Sequence, residues 1–198
     1  MQDIDFYYDF GSPNAYIVDH LLPAIAARHN ATIRYHPVLL GGIFKASGNQ
    51  SPALAGVKGK MAYLRREMDR FVTRHAVPFA FNPHFPINSV ALMRGAIFAR
   101  NQPWEARYRA AIYHHCWVEG TDMNDPQTLM TVLTSAGLPA DDIATAIQKP
   151  EIKAVLFAAT EAAVARDVFG VPTMFVGPEM FFGKDSLTDL ETYLQNGG

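Results

Sequence analysis

Strand-forming sequence is confined to the two ends of this chain, and this limits the possible folds more than any other feature. Residues 4–10 are rich in aromatic and β-forming side chains and stop at Gly11, and residues 32–40 return to the same character. Near the other end, residues 171–176 and 180–182 form two short strand-like runs separated by a Gly-Pro turn. The order β-α-β, helical block, β-β-α predicts a mixed α/β fold with an inserted helical part.

Helix start and stop signals lie next to these strands. Ser12 has the side chain of a helix N-cap, and Pro13 occupies a first-turn position where proline is tolerated. The pair Gly41-Gly42 is expected to end the second strand. Ser186, with Asp189 three residues further on, predicts a capping box at the start of the last helix.

The middle of the chain has a different character. From about residue 43 to residue 167 it shows alanine-rich helical periodicity punctuated by prolines. Asp125-Pro126 supplies an N-cap and a first-turn proline to one short helix, which Gly137 is placed to end. We therefore predict a sheet-containing unit made of residues 1–42 and 168–198, with residues 43–167 as an all-helical insertion.

Composition excludes several classes of function. The 198 residues are 49% hydrophobic with a net charge of -2, which is typical of a globular domain and too weak a field to hold nucleic acid. The one cysteine, Cys116, can form neither an internal disulfide nor a C-x-x-C pair, so a reducing compartment is favoured. No secretory signal is evident, and the apolar runs are far shorter than the roughly 20 residues that cross a bilayer. We expect a cytoplasmic protein without nucleic-acid or membrane partners.

Two short motifs can carry chemistry. The first strand delivers Ser12 onto the first turn of a helix, where free N–H groups and the helix dipole favour negative charge. A hydroxyl there can donate to a bound anion or thiolate and lower the pKa of a thiol, although the same residue also fits a plain N-cap. In Gly-Val-Pro-Thr at residues 170–173, Pro172 fits either a trans edge-strand proline or a cis proline.

Several motifs occur together in a fixed order along nearly the whole chain. They are Ser-Pro at residues 12–13, the segments at 44–49, 60–64, 69–70 and 83–89, Gly-Val-Pro-Thr at 170–173 and Phe-Phe-Gly-Lys-Asp at 181–185. With them the chain resembles the 2-hydroxychromene-2-carboxylate isomerases and, more broadly, the kappa-class glutathione transferases. The fold of these proteins is similar to that of thioredoxin-type disulfide oxidoreductases with a helical insertion. The resemblance therefore implies that residues 1–42 and 168–198 form a thioredoxin-like domain.

The resemblance also implies where a thiol binds. The redox relatives carry C-P-x-C where this chain has Ser12-Pro13-Asn14-Ala15, so the protein itself cannot exchange thiols and disulfides. In this family the thiol comes from glutathione, with Ser12 hydrogen-bonded to its sulfur. Val171, ahead of a cis Pro172, would pair its backbone with the cysteinyl part of the tripeptide.

Three further residues match family positions that face the tripeptide, and Lys184 is a fourth candidate beside them. Asn49 and Lys60 would donate to its carboxylates, Asp185 would contact the γ-glutamyl ammonium, and Lys184 lies beside that contact. Without the resemblance, Asn49 reads as a turn residue, Lys60 as a solvated helix lysine and Asp185 as a helix-cap carboxylate. Lys184 and Ser186 depart from the family pattern, in which a small hydroxyl residue and an arginine are common.

The substrate side is defined less sharply by the sequence. Phe85 and Asn88 are candidates for a wall beside the sulfur, and Tyr63, nearly one helical turn from Lys60, is a third candidate. His114-His115 lacks a ligand-spaced carboxylate, so no metal site is predicted.

The resemblance implies a glutathione-dependent isomerisation of a small aromatic carboxylate. Addition of the thiol would free the former double bond to rotate, and elimination would yield trans-o-hydroxybenzylidenepyruvate, within aromatic hydrocarbon catabolism such as naphthalene degradation. Family habit favours a homodimer. Two alternatives stay open: a kappa-like transferase or peroxidase, and a non-catalytic module that binds thiol peptides or proteins.

Overall fold

The computed structural model describes residues 2–51, 56–57 and 59–197, and in it the two ends of the chain form one four-stranded sheet. The strands are β1 (Asp3–Tyr8), β2 (Thr32–Pro37), β3 (Thr173–Val176) and β4 (Glu179–Phe182), in the spatial order β2-β1-β3-β4. Strand β1 runs parallel to β2 and antiparallel to β3, and β3 pairs antiparallel with β4. The predicted mixed α/β fold is confirmed.

Helices surround this sheet. They are α1 (Pro13–Arg28), α2 (Leu40–Ser47), α3 (Lys60–Arg74), α4 (Val90–Ala99), α5 (Glu105–Trp117), α6 (Pro126–Ser135), α7 (Ala140–Ala146), α8 (Pro150–Ala165) and α9 (Leu187–Gln195), with a 3-10 turn at Lys184–Ser186. Helices α2 to α8 all lie between β2 and β3 in the chain, as the predicted helical insertion requires. None of the helices described is long and apolar enough to cross a bilayer.

The pair Gly41-Gly42 does not end a strand, contrary to the sequence prediction. Strand β2 already ends at Pro37, and both glycines lie inside α2. Tertiary contacts override their poor helix propensity, because the Leu40 N–H donates to the Asp9 carboxylate at 2.7 Å and stabilises the helix start. A Cβ at Gly42 would lie 3.1 Å from a methyl carbon of Thr160 on α8, so the missing side chain lets the two helices approach. The boundary predicted at residue 43 therefore falls within a helix.

The predicted capping box at the last helix is also absent. The Ser186 hydroxyl donates to the Gly183 carbonyl at 2.8 Å instead of capping α9. Because Ser186 already belongs to the 3-10 turn that leads into α9, its backbone is helical and its side chain is directed back along the turn.

The helical insertion packs tightly on the sheet unit. The buried Trp117 on α5 donates its indole N–H to the Phe10 carbonyl, just after β1, at 2.8 Å. The Arg109 guanidinium, also on α5, lies 2.8 Å from the Asp19 carboxylate on α1. These contacts hold the β1–α1 connection, where Ser12 lies, against the core.

Candidate active site

The loop between β1 and α1 is fixed from within by a buried carboxylate. Asp9 is 1% exposed, and its two oxygens accept hydrogen bonds from the N–H groups of Gly11 at 2.8 Å and Leu40 at 2.7 Å. Burial raises the pKa of Asp9 above its ordinary value, although these donors and Ser89 oppose the shift. The position of the following Ser12 is therefore set by the fold rather than by a mobile loop.

Ser12 is the N-cap of α1 and also contacts the opposite side of the fold. Its Oγ accepts from the Ala15 N–H at 3.2 Å, which is the plain cap expected from sequence. The same hydroxyl donates to the Val171 carbonyl at 3.2 Å, across 159 residues of sequence. Its one proton can turn to another acceptor without loss of the cap, because the cap uses only a lone pair.

Backbone donors remain open beside this hydroxyl. Pro13 has no N–H, and the N–H groups of Asn14 and Val171 donate to no atom of the described chain. Free amide donors at a helix start favour an anion or another strong acceptor. The hydroxyl and these two amides therefore suit a thiolate and an extended peptide.

The segment before β3 has the arrangement that the resemblance implies. The Val171–Pro172 peptide bond is cis. The Pro172 carbonyl accepts from the Gly183 N–H at 2.9 Å, and the Asn49 side-chain amide donates to the Phe169 carbonyl at 2.9 Å. Asn49 thus holds the loop after α2 against the segment that carries Val171.

A cleft of about 300 Å³ opens over Ser12 and Val171. Its volume is at the lower end of the roughly 300–1,000 Å³ typical of small-molecule sites. The walls are mostly apolar and include the predicted Asn49 and Phe85. The other lining residues are Gly11, Pro13, Asn14, Leu40, Phe44, Gln50, Ser51, Met61, Leu64, Arg65, Glu67, Met68, Phe81, Phe169, Gly170 and Phe182.

Six predicted residues lie outside this lining: Lys60, Tyr63, Asn88, Pro172, Lys184 and Asp185. Lys60 and Tyr63 are both exposed on α3, and Tyr63 is 60% exposed with the Arg70 guanidinium 5.8 Å from its ring centroid. Asn88 lines a different cavity, near Asn124, whose side-chain oxygen accepts from the Asn88 N–H at 2.8 Å. The prediction of Asn88 and Tyr63 in the wall beside Ser12 is therefore not matched by their positions in the fold.

Lys184 and Asp185 belong to an ion-pair cluster beside the cleft. The Lys184 side chain is 3% exposed, and its ammonium lies 2.7 Å from the Glu67 carboxylate and 3.0 Å from that of Asp185. Its charge also lies 4.6 Å from the centroid of the Phe71 ring. Lys184 is predicted to donate to a ligand, but in the structure its ammonium is already paired with two carboxylates. Asp185 is 76% exposed and keeps open acceptor sites.

The sequence interpretation missed Arg65 and Glu67 on α3 and Asn14 on α1. Met61, Leu64, Arg65 and Met68 follow the i, i+3, i+4, i+7 pattern of a single helix face and line the cleft together. That spacing was visible in the sequence, but nothing local showed which face is turned towards Ser12.

Comparison with known proteins agrees with this geometry. The DsbA-like thioredoxin domain family matches residues 3–195. A 2-hydroxychromene-2-carboxylate isomerase of Sphingobium xenophagum is 32% identical over 191 residues, which are 96% of this chain and 97% of that protein. The chain belongs to the 2-hydroxychromene-2-carboxylate isomerase branch of the DsbA-like thioredoxin family.

Two further likenesses bear on this isomerase-family protein. A solved structure of a 2-hydroxychromene-2-carboxylate isomerase superposes with a TM-score of 0.88 at 29% identity, covering 98% of this chain and 95% of the other. Glutathione S-transferase kappa 1 of Rattus norvegicus is 26% identical and covers 96% of this chain and 89% of that protein. The likeness therefore extends over the whole domain, insertion included.

This DsbA-like protein has no thiol of its own at the site. Its single cysteine, Cys116, is fully buried on α5, and burial raises the pKa of that thiol far above its ordinary value. Among the residues described, no group of three His, Cys, Asp or Glu side chains is placed to hold a metal ion. A thiol that reacts at Ser12 must therefore be brought by a ligand.

Proposed function

We propose that this chain is a glutathione-dependent isomerase that acts on 2-hydroxychromene-2-carboxylate. The observation that carries the proposal is the Ser12 hydroxyl, 3.2 Å from the Val171 carbonyl at the start of α1, with free amides of Asn14 and Val171 on either side. Related proteins from Sphingobium and Pseudomonas are named as isomerases of this compound, and kappa-class glutathione transferases are more distant relatives.

The donors and acceptors at the cleft fit glutathione. The Ser12 hydroxyl and the Asn14 N–H would hold its sulfur, and the Val171 N–H would pair with its cysteinyl carbonyl. The exposed Asp185 carboxylate would take the ammonium group. Lys60, together with the Asn49 side of the cleft, would face a carboxylate.

Glutathione, when bound, supplies a nucleophilic thiol. Ser12 would turn its proton from the Val171 carbonyl to the sulfur and stabilise the ionised form, so that its pKa falls. The dipole of the 16-residue helix α1 acts in the same direction. Phe85 and the other apolar walls keep water away, which strengthens these interactions.

The proposal extends to three properties of the protein as a whole. We propose that it works in the cytoplasm as a homodimer, in the breakdown of fused aromatic compounds such as naphthalene. The sheet unit, residues 1–42 and 168–198, would hold the tripeptide through Ser12, Val171 and Asp185. The helical insertion, residues 43–167, would shape the pocket for the aromatic substrate.

Steady-state turnover tests the proposal. Purified protein is mixed with 2-hydroxychromene-2-carboxylate and with glutathione well below the substrate concentration, and the conversion is followed by absorbance. We expect full conversion with total glutathione unchanged. Loss of one glutathione per substrate would indicate a kappa-like transferase instead. Absence of turnover together with absence of glutathione binding by calorimetry would leave only a non-catalytic module that binds peptides.

A further inference from the structure

One cationic side chain lines the cleft over Ser12 within the ranges that the structure describes. Of the residues that form its walls, Arg65 carries the positive charge and Glu67 the negative charge. The Glu67 carboxylate lies 2.7 Å from the Lys184 ammonium, so that its charge is compensated. The cleft therefore offers an anion one uncompensated charge, at Arg65.

The surroundings of Arg65 leave its hydrogen-bonding edge available. Its guanidinium stacks over the Phe81 ring, with 4.4 Å between the guanidinium carbon and the ring centroid, and no carboxylate lies within ion-pair distance of it among the described residues. Stacking occupies the face of a guanidinium and leaves the N–H groups in its plane free to donate. A planar fork of donors of this kind matches a carboxylate in a bidentate arrangement.

Aromatic rings lie on the same wall. The centroids of Phe81 and Phe85 are 5.2 Å apart with their planes inclined at 66°, and the buried Trp117 supports both rings from behind. A flat bicyclic ligand would thus find ring surfaces beside a carboxylate donor, in the same cleft as the Ser12 hydroxyl.

We propose that Arg65 binds the carboxylate of the bicyclic aromatic substrate while Phe81 and Phe85 contact its rings. This assignment rests on the proposed function, since it takes the substrate class from there. It assigns the two ligands to separate groups of the site. The start of α1 binds the thiol, and Arg65 on α3 makes the site prefer ligands that carry a carboxylate. Neutral bicyclic compounds of the same shape would bind without the contribution of Arg65.

Binding of a matched pair of probes tests the assignment without requiring turnover. Coumarin-3-carboxylate and coumarin differ only in the carboxylate, and their dissociation constants are measured by fluorescence titration with glutathione present. We expect the native protein to prefer the acid, and Arg65→Gln to weaken binding of the acid by about 10- to 100-fold with little change for coumarin. Arg65→Lys should recover part of the preference, because it keeps the charge but not the fork.

Arg66→Gln is the matched control, since Arg66 is exposed on the same helix and does not line the cleft. The proposal is overturned if the native protein does not prefer the acid, if Arg65→Gln keeps that preference, or if Arg66→Gln loses it equally. It is also overturned if Arg65→Gln weakens glutathione binding instead. If the acid binds through Arg65 but chromene turnover is absent, the proposed function fails and the carboxylate site stands.

Discussion

Two neighbouring cavities share Glu67 as a common wall and differ in almost every other respect. The cleft over Ser12 holds about 300 Å³ and is lined mainly by apolar side chains. The second cavity, between α1, α3 and α9, holds about 610 Å³. We call it the charged cavity, and its ionisable lining residues are Arg28, Glu67, Arg70, Arg74, His75, Lys184, Asp185 and Glu191.

The difference shows where electrostatic interactions have the largest effects. In the apolar cleft, the hydroxyl of Ser12 is buried and acts through a medium with little water, so that its hydrogen bonds are worth more than they would be on a surface. In the charged cavity, pairs such as Arg28 and Glu191 are screened by solvent and by one another. Substitution of Ser12 should therefore change the chemistry, whereas substitutions in the charged cavity should change affinity or stability.

Removing the Ser12 hydroxyl should have the largest effect. Ser12→Ala is expected to raise the pKa of bound glutathione and lower kcat/KM by about 10- to 100-fold, because a hydrogen bond to the ionised sulfur is lost. The rising limb of the pH–rate profile should move to higher pH, since less of the thiol is ionised at neutral pH. Absorbance at 240 nm reads the thiol, and the exposed Ser135→Ala is the control. An unchanged profile would remove Ser12 from the chemistry.

Removing the charge of Glu67, which lies between the two cavities, should have the next largest effect. Glu67→Gln leaves the Lys184 ammonium, 3% exposed, with Asp185 alone, and we expect the free energy of unfolding to fall by about 2 kcal/mol. The loss stays below that of a fully buried pair because the Glu67 side chain is 28% exposed. Urea unfolding measures the change, with Asp69→Asn on the same helix as the control. Equal stability of the two variants would contradict the pairing.

Neutralising Asp185 should affect glutathione and leave the chemical step intact. Asp185→Asn is expected to weaken glutathione binding by about 3- to 10-fold, since its carboxylate is exposed and solvated before binding. At saturating glutathione, kcat should stay unchanged. Calorimetry and steady-state kinetics give the two quantities, and Asp189→Asn serves as the matched acid nearby. A fall in kcat without loss of affinity would place Asp185 in the chemistry instead.

The ion pair between Arg28 and Glu191 in the charged cavity should have the smallest effect. The hydrogen bond from Arg28 holds the pKa of Glu191 below its ordinary value, so its contribution is present at neutral pH and is lost as pH falls through the folded-state pKa. We expect Arg28→Gln to cost no more than about 0.5 kcal/mol at pH 7, and less in high salt. Urea titrations at two salt concentrations measure it. A larger loss of unfolding free energy that persists in high salt would contradict this prediction, because it would mean that solvent does not screen the pair.

Local signals were sufficient to predict the frame of the site. Ser12 and Pro13 start α1 where the cap and first-turn rules place them, and the resemblance added the cis bond before Pro172. Both strand-rich ends of the chain form the sheet, because the order of element types leaves few ways to connect them.

The side chains that line the two cavities could not be predicted, because their positions depend on tertiary contacts that the local sequence does not reveal. Lys184 is buried because Glu67, 117 residues away, meets its ammonium, and no window of sequence around Lys184 shows this. Gly41-Gly42 forms helix because Asp9 and α8 support it from outside. The cleft-facing side of α3 carries Arg65 rather than Lys60 or Tyr63, because packing fixes the rotation of the helix.

The indole of Trp117 gives the protein a built-in optical reporter. Its ring is wholly buried behind Phe81 and Phe85, and its N–H is bonded to the carbonyl of Phe10, two residues ahead of Ser12. The only other tryptophan, Trp104, lies at the start of α5 among Phe98 and Tyr108. In a Trp104→Phe background, emission from one fluorophore would register occupancy of the cleft in real time, so that loading of tripeptide and acid could be timed separately without any attached dye.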